Sequence, residues 1–216
     1  MLAIAGGTAS GKSILAKALA LHRPGAVVLI HLDDFYVPAH EPHRGARAVS
    51  ATGAETLDWN HPRSIDQDAA AAALQAAATR GQHRMTVVEL LFALSLPKIA
   101  DHATWRIYVH TPDDIRLARK LMRKIEVQHQ DPLVSLRNYL LSGRERHAEY
   151  VAPTGPKGRV LGAGSRVDAG TCFAASWGPA PVGRRCPARL ALPIGEVGDL
   201  GNEDMTIFVL GRGRPA

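Results

Sequence analysis

The run Gly6-Gly7-Thr8-Ala9-Ser10-Gly11-Lys12-Ser13 constrains the chain more than any other feature. It fits the pattern G-x-x-x-x-G-K-[ST] and lies between a short apolar stretch, residues 1–5, and a run of helix formers, residues 13–21. In that run Ile14, Leu15, Ala18 and Leu19 are spaced for one buried helix face. Glycines let the backbone turn its N–H groups inward toward phosphate oxygens. The following helix adds the positive end of its dipole. Lys12 offers a mobile cation to the β- and γ-phosphates, and Ser13 a hydroxyl ligand for Mg²⁺. A chance glycine turn is the bland alternative, and both the length of the match and its setting argue against it. Residues 6–13 therefore read as a nucleotide cradle. The motif alone does not say whether ATP is hydrolysed or its phosphoryl group is passed on.

The rest of the pattern alternates. Residues 26–30 (AVVLI) are a continuous apolar run, expected as a strand covered on both faces. Residues 31–64 read as loop. Residues 65–80 are alanine-rich and predict a helix, with Asp66 and Asp68 near its positive end. Residues 85–91 and 105–109 predict two more strands. Thr111-Pro112-Asp113-Asp114 reads as a helix start, with Thr111 capping and Asp114 closing a capping box. That helix runs through Ile115, Leu117 and Leu121 as far as Ile125. Asp131-Pro132 repeats the start signal before Leu133, Leu136, Tyr139 and Leu140. Strands alternating with helices predict an α/β fold, a three-layer α/β/α domain around a mostly parallel sheet of about five strands. The pattern fills residues 1–163. Residues 164–216 are rich in Gly, Pro and Arg and form an unassigned tail, in which residues 205–210 (MTIFVL) can add one strand to the sheet edge.

Composition narrows the classes. The 216 residues are 46% hydrophobic and 21% charged, enough for a packed core and too apolar for wholesale disorder. No apolar run approaches the roughly 20 residues that cross a bilayer, and the start lacks a secretory leader, so a soluble, cytoplasmic chain is expected. Cys172 and Cys186 do not make a disulfide framework. A net charge of +6 suits nucleotides and RNA alike. Aromatics at 5% argue against a stacking surface for nucleic acid, and helicase-type motifs are not evident. A basic RNA-associated ATPase thus ranks below a small-molecule enzyme.

The acceptor side is read from polar residues beyond the strands. Asp33-Asp34-Phe35-Tyr36 follows the second strand, where ligands of open α/β sheets bind. One carboxylate there can take the proton of an acceptor hydroxyl while the other orients it or helps hold Mg²⁺. The alternative is a solvated acidic turn. The segment Asp58-Trp59-Asn60-His61-Pro62 can hydrogen-bond a sugar and stack on a base, or simply enter the next helix with Ser64 as its cap. Glu89 stands inside an apolar strand, where a carboxylate is costly unless it meets a cation, so Mg²⁺ is its natural partner; a strand edge open to water is the alternative. Arg116, Arg119 and Arg123 share one helix face. They can close over phosphates or form a solvated basic face. The ten histidines carry no motif.

Together these residues resemble the uridine kinase family, within the wider group that includes phosphoribulokinase and nicotinamide riboside kinase. The resemblance covers residues 1–163 and rests on AGGTASGKS, HLDDFY, DWNHPRSID, VVELLFAL, YVHTPDDIRLARKLMRKI and the helix ending in YVAPT. It implies a P-loop kinase fold and ATP-dependent phosphorylation of a nucleoside 5′-hydroxyl, with uridine or cytidine as acceptor. ATP and Mg²⁺ are the implied cofactors. Asp33 is the implied base, and Ser13 and Glu89 the Mg²⁺ residues. Asp34, Tyr36, Asn60 and His61 are implied to face the nucleoside. Arg119 and Arg123 are implied to stabilise the transferring phosphoryl group, beside Lys12. The expected partner is a small-molecule nucleoside, with no nucleic acid and no membrane; a homo-oligomer is allowed. Departures from the family are Asn60 for the usual Asp, Leu90 for Gly after the strand glutamate, Gln128 and Gln130 for lid arginines, and a shortened stretch at residues 79–84. They keep two alternatives open: a nicotinamide riboside kinase, and a nucleotide-binding protein with impaired turnover.

Overall fold

A computed structural model describes residues 1–22, 24–38, 40–50, 53–80, 85–129, 131–155 and 205–212. Residues 81–84 of the shortened stretch, Gln130, Cys172 and Cys186 lie outside the described residues, as does most of the tail.

The strands are β1 (Leu2–Gly6), β2 (Val27–His31), β3 (Arg47–Val49), β4 (Glu55–Leu57), β5 (Met85–Glu89), β6 (Trp105–His110) and β7 (Thr206–Arg212). The main helices are α1 (Lys12–His22), α2 (Gln67–Thr79), α3 (Pro97–Ala100), α4 (Asp113–Glu126) and α5 (Pro132–Asn138). The chain continues α5 in wider turns at Tyr139–Gly143 and His147–Val151, either side of the short helix Arg144–Arg146. The main sheet has the order β2-β5-β1-β6-β7. Its first four strands are parallel, and β7 runs antiparallel to β6. This is the three-layer α/β/α arrangement of a P-loop kinase, with a mostly parallel sheet.

Alternation along β1 builds both cores. Leu2 and Ile4 pack with Leu15, Ala16 and Leu19 of α1 on one face. Ala3 and Ala5 pack on the other with Ala70 of α2, Ile99 of α3 and Val151. Successive strand residues point to opposite faces, so a buried central strand must be apolar at every position. The segment 205–210 does join the sheet edge. Ile207 and Met205 bury against the α1 side.

Four local expectations are corrected. The 26–30 run becomes β2, but β2 is an edge strand and only half-buried along its length, because it has a neighbour on one side alone. The 31–64 stretch contains the antiparallel pair β3–β4, whose three-residue strands are too short to show a period. Thr111 does not cap α4: helix α4 has Pro112 at its N-cap position with no side-chain cap, and Thr111 is buried with its hydroxyl donating to Ser10 O at 3.1 Å. Nor does Ser64 cap α2. Asp66 does, accepting from Ala69 N, while the buried Ser64 hydroxyl donates to Asp58 O at 2.7 Å. The Asp131-Pro132 start appears as read, with Asp131 accepting from Leu133 N at 2.8 Å.

Candidate active site

The phosphate loop leaves the C-terminal end of β1 at the middle of the sheet. Gly6 and Gly11 have φ of +149° and +95°, and Ala9 has 62°, so the turn runs through left-handed backbone. A Cβ at Gly6 would stand 2.4 Å from Val109 O, which is why glycine is required where the loop passes β6. Helix α1 starts at Lys12, and Leu15 N–H bonds Gly11 O at 3.0 Å. The buried Ser10 hydroxyl oxygen finds no hydrogen-bond partner among the described residues. A polar cradle of this kind, at a helix N-terminus, fits a phosphate chain.

Ser13 and Glu89 come together. Ser13 Oγ lies 3.1 Å from both carboxylate oxygens of Glu89. Glu89 is 1% exposed and β5 lies between β2 and β1, so the water-facing edge alternative is excluded. His31 Nδ1 lies 2.8 Å from Glu89 Oε1. Burial lowers the pKa of Lys12, and the charges of Glu89 and Asp33 raise it. Among the described residues no cluster of three or more His, Cys, Asp or Glu side chains can hold a metal unaided. Two hard oxygen groups beside a phosphate cradle fit Mg²⁺, which binds through one or two protein oxygens and completes its shell with water and substrate phosphates.

Asp33 and Asp34 fall in the first turn of a 3-10 helix, Leu32–Phe35, directly after β2. Leu32 is fully buried and fixes the turn, which leaves both carboxylates on the open side. Burial raises the Asp33 pKa, while Lys12 and His31 draw it down. The Tyr36 hydroxyl donates to Trp59 O at 2.6 Å, and the two rings meet edge-on with centroids 5.0 Å apart. Burial, then the nearby Asp33 and Asp58, push the Tyr36 phenol up, so it stays a neutral donor.

The 58–62 segment is held from below. Asp58 is 2% exposed and accepts from Asn60 N at 3.0 Å and from Arg146 Nε at 2.8 Å. His61 Nδ1 accepts from Arg63 N, so in the neutral ring the proton sits on Nε2, which donates to Tyr150 Oη at 2.8 Å. Both His61 nitrogens are therefore engaged within the protein. Its pKa is lowered, first by burial and then by Arg146.

The basic face of α4 is not merely solvated. Arg116 is 7% exposed and is the buried residue of α4. Its Nε donates to Thr111 O at 3.2 Å, Nη1 to Thr8 O at 3.4 Å and Nη2 to Asp113 Oδ1 at 2.6 Å. Nη2 also lies 3.2 Å from His147 Nε2, which must accept because a guanidinium only donates. Burial, then the Arg116 charge, lower the His147 pKa to about 4. The guanidinium lies against Gly7, where a Cβ would come within 2.3 Å of Nη1. Arg119 is half-buried, and the charge of Arg123 reaches Lys12. A cleft of about 420 Å³, its open mouth included, lies between Thr8, Asn60, Leu91, Lys120, Tyr139 and His147.

The structure thus gathers Lys12, Ser13, Glu89 and Asp33 at one end of the parallel sheet, and sets Asn60 in the adjoining cleft. Without forming a motif, His31 and His147 join the surroundings of the site, His31 against Glu89 and His147 against Arg116, while His61 bonds Tyr150. Sequence reasoning also passed over the roles of Arg116, Arg146 and Tyr150. The i,i+3 pairs Asp113–Arg116 and Arg146–Glu149 were the local signals among them.

No protein-family profile matches the chain. Among curated proteins, the uridine kinase of Listeria welshimeri is 23% identical over 176 residues, covering 71% of this chain and 81% of that protein. The uridine kinase of Chloroflexus aurantiacus is 25% identical over 178 residues, with the same coverage. These matches agree with the resemblance to the uridine kinase family carried by the motifs.

Proposed function

We propose that the chain is an ATP-dependent kinase that phosphorylates the 5′-hydroxyl of a nucleoside, uridine or cytidine first among the acceptors. The observation that carries this reading is the meeting of a phosphate cradle, Ser13 bonded to the buried Glu89 and the open Asp33 carboxylate at one sheet end. Lys12 and the loop amides bind the phosphates. Ser13 and Glu89 hold Mg²⁺, which when bound neutralises phosphate charge. Asp33 accepts the proton of the acceptor hydroxyl, and its raised pKa improves the match to that task. Asp34, Tyr36, Asn60 and His61 form the nucleoside side. Arg119 and Arg123 offset charge on the transferring group. The kinase unit takes in residues 1–163 together with β7 from the tail. Among the described residues no helix is long and apolar enough to cross a membrane.

The test is a panel of nucleosides, nicotinamide riboside included, each incubated with ATP and Mg²⁺. The products are read by mass spectrometry. A 5′-monophosphate formed fastest from uridine or cytidine supports the reading. Nicotinamide riboside as the preferred acceptor would reassign the substrate. ATP binding without product from any nucleoside would refute the kinase.

A further inference from the structure

Strand register sets His31 of β2 opposite Glu89 of β5. Register partners on neighbouring strands present their side chains to the same face. Here the consequence is a contact of 2.8 Å from His31 Nδ1 to Glu89 Oε1. An ionised carboxylate only accepts, so the imidazole proton shared with it sits on Nδ1. Glu89 is also touched by Ser13, through a hydroxyl 3.1 Å from each carboxylate oxygen. A cation held between Ser13 and Glu89 replaces the hydrogen bond that joins them. The bond from His31 takes one lone pair of Oε1 and does not involve Oε2, so the carboxylate keeps oxygen lone pairs for the cation while His31 holds it. It is the restraint that survives when the site fills.

We propose that His31 is a positioning residue of the divalent-cation site, whose Nδ1–H fixes the buried Glu89 carboxylate beside Ser13 so that the ion meets a pre-set oxygen. This rests on the reading of Ser13 and Glu89 as the cation residues. Partners that orient a metal ligand in this way change metal affinity by about 10–100-fold when removed. The position suits the task. β2 is the sheet's edge strand, and His31 is anchored by pairing on one side while its ring stays part-exposed at the mouth of the site.

The experiment measures Mn²⁺ binding to the full chain in complex with a non-hydrolysable ATP analogue, by electron paramagnetic resonance of the free ion. No turnover is involved. His31→Val is expected to weaken Mn²⁺ binding by about 10–100-fold. His31→Asn places an amide N–H near the position of Nδ1 and is expected to stay within about threefold of the parent. Affinity for the analogue without metal is expected to be the same in the parent and in the His31 variants. Glu89→Gln is the control. Weakened binding in Glu89→Gln with unchanged binding in His31→Val overturns the role of His31 alone. Unchanged binding in Glu89→Gln overturns the cation site itself. His31→Asn as weak as His31→Val also refutes the proposal, since the donated proton would then not matter. Should His31→Val fail to fold by circular dichroism, His31→Thr carries the same expectation, because its hydroxyl stops one bond short of Nδ1.

Discussion

Replacing Arg116 with lysine keeps the charge and removes the fork, and the structure says what that costs. The guanidinium spans Thr111 O at 3.2 Å, Thr8 O at 3.4 Å, Asp113 Oδ1 at 2.6 Å and His147 Nε2 at 3.2 Å. One ammonium cannot reach all four. The Asp113 side chain is 67% exposed, so that ion pair contributes little to stability whether or not lysine re-forms it. The Thr8 contact is long and weak. The main losses are the bond to the Thr111 carbonyl, about 1 kcal/mol, and the packing of the flat group on Gly7, about 1 kcal/mol more. A destabilisation of about 2 kcal/mol lowers the Tm of a chain this size by about 4–8 °C. Differential scanning fluorimetry measures it, with the exposed Arg123→Lys, two turns further along the same face, as a control expected to move by less than about 2 °C. Repeating the melts with an ATP analogue should show less nucleotide stabilisation in Arg116→Lys, because the flat group packed against Gly7 of the loop is lost. A shift below about 1 °C with nucleotide stabilisation unchanged would refute the view that α4 staples the phosphate loop.

Lys12→Ala should abolish ATP-dependent product formation, and normal turnover in that variant would remove the loop from the mechanism. Asp33→Asn should leave ATP-analogue binding within about threefold while slowing transfer by about 10²–10⁴-fold, the range for a lost general base; single-turnover product formation decides it. His147 gives a pH effect of definite sign. Its folded pKa, about 4, lies below the unfolded value of 6.5, so between those values the unfolded chain binds more protons. Stability contributed by neutral His147 is therefore complete above about pH 6.5 and falls as pH drops toward 4. Allowing for the part-exposed ring, the loss is about 1–2 kcal/mol. Urea unfolding of His147→Gln should show a shallower slope across that window, and an identical slope would refute the assignment.

Features set by contiguous residues were legible in the sequence. The strand, loop and helix at residues 2–22 are written in neighbouring positions, as is the Asp131 cap. Ser13 and Glu89 were paired by the shared chemistry of a cation, although 76 positions separate them. What depended on strand order was not legible. The apolar run of β2 looks like a central strand, yet its place at the edge is decided by which strand pairs next to it. Thr111 has the local signature of a cap, and a buried carbonyl at Ser10 outcompetes that role. The sequence left Arg116 between closing over phosphates and a solvated basic face, and neither reading foresaw a buried guanidinium, because periodicity weighs arginine as polar. Its burial follows from carbonyls of Thr8 and Thr111 that no helix pattern contains. The Asp58–Arg146 pair joins residues 88 positions apart and has no local signal at all.

The pairing of β7 with β6 also orders events in time. Met205 walls Gly11, where an added Cβ would meet its Sδ at 2.5 Å. During synthesis the phosphate loop emerges from the ribosome long before that wall exists. Until β7 arrives, β6 presents an unpaired edge at the side of a parallel sheet, a surface on which foreign strands can dock. The edge of β6 and the flank of Gly11 are therefore closed last in the order of synthesis, and strand-edge protection rests on the final described segment of the chain.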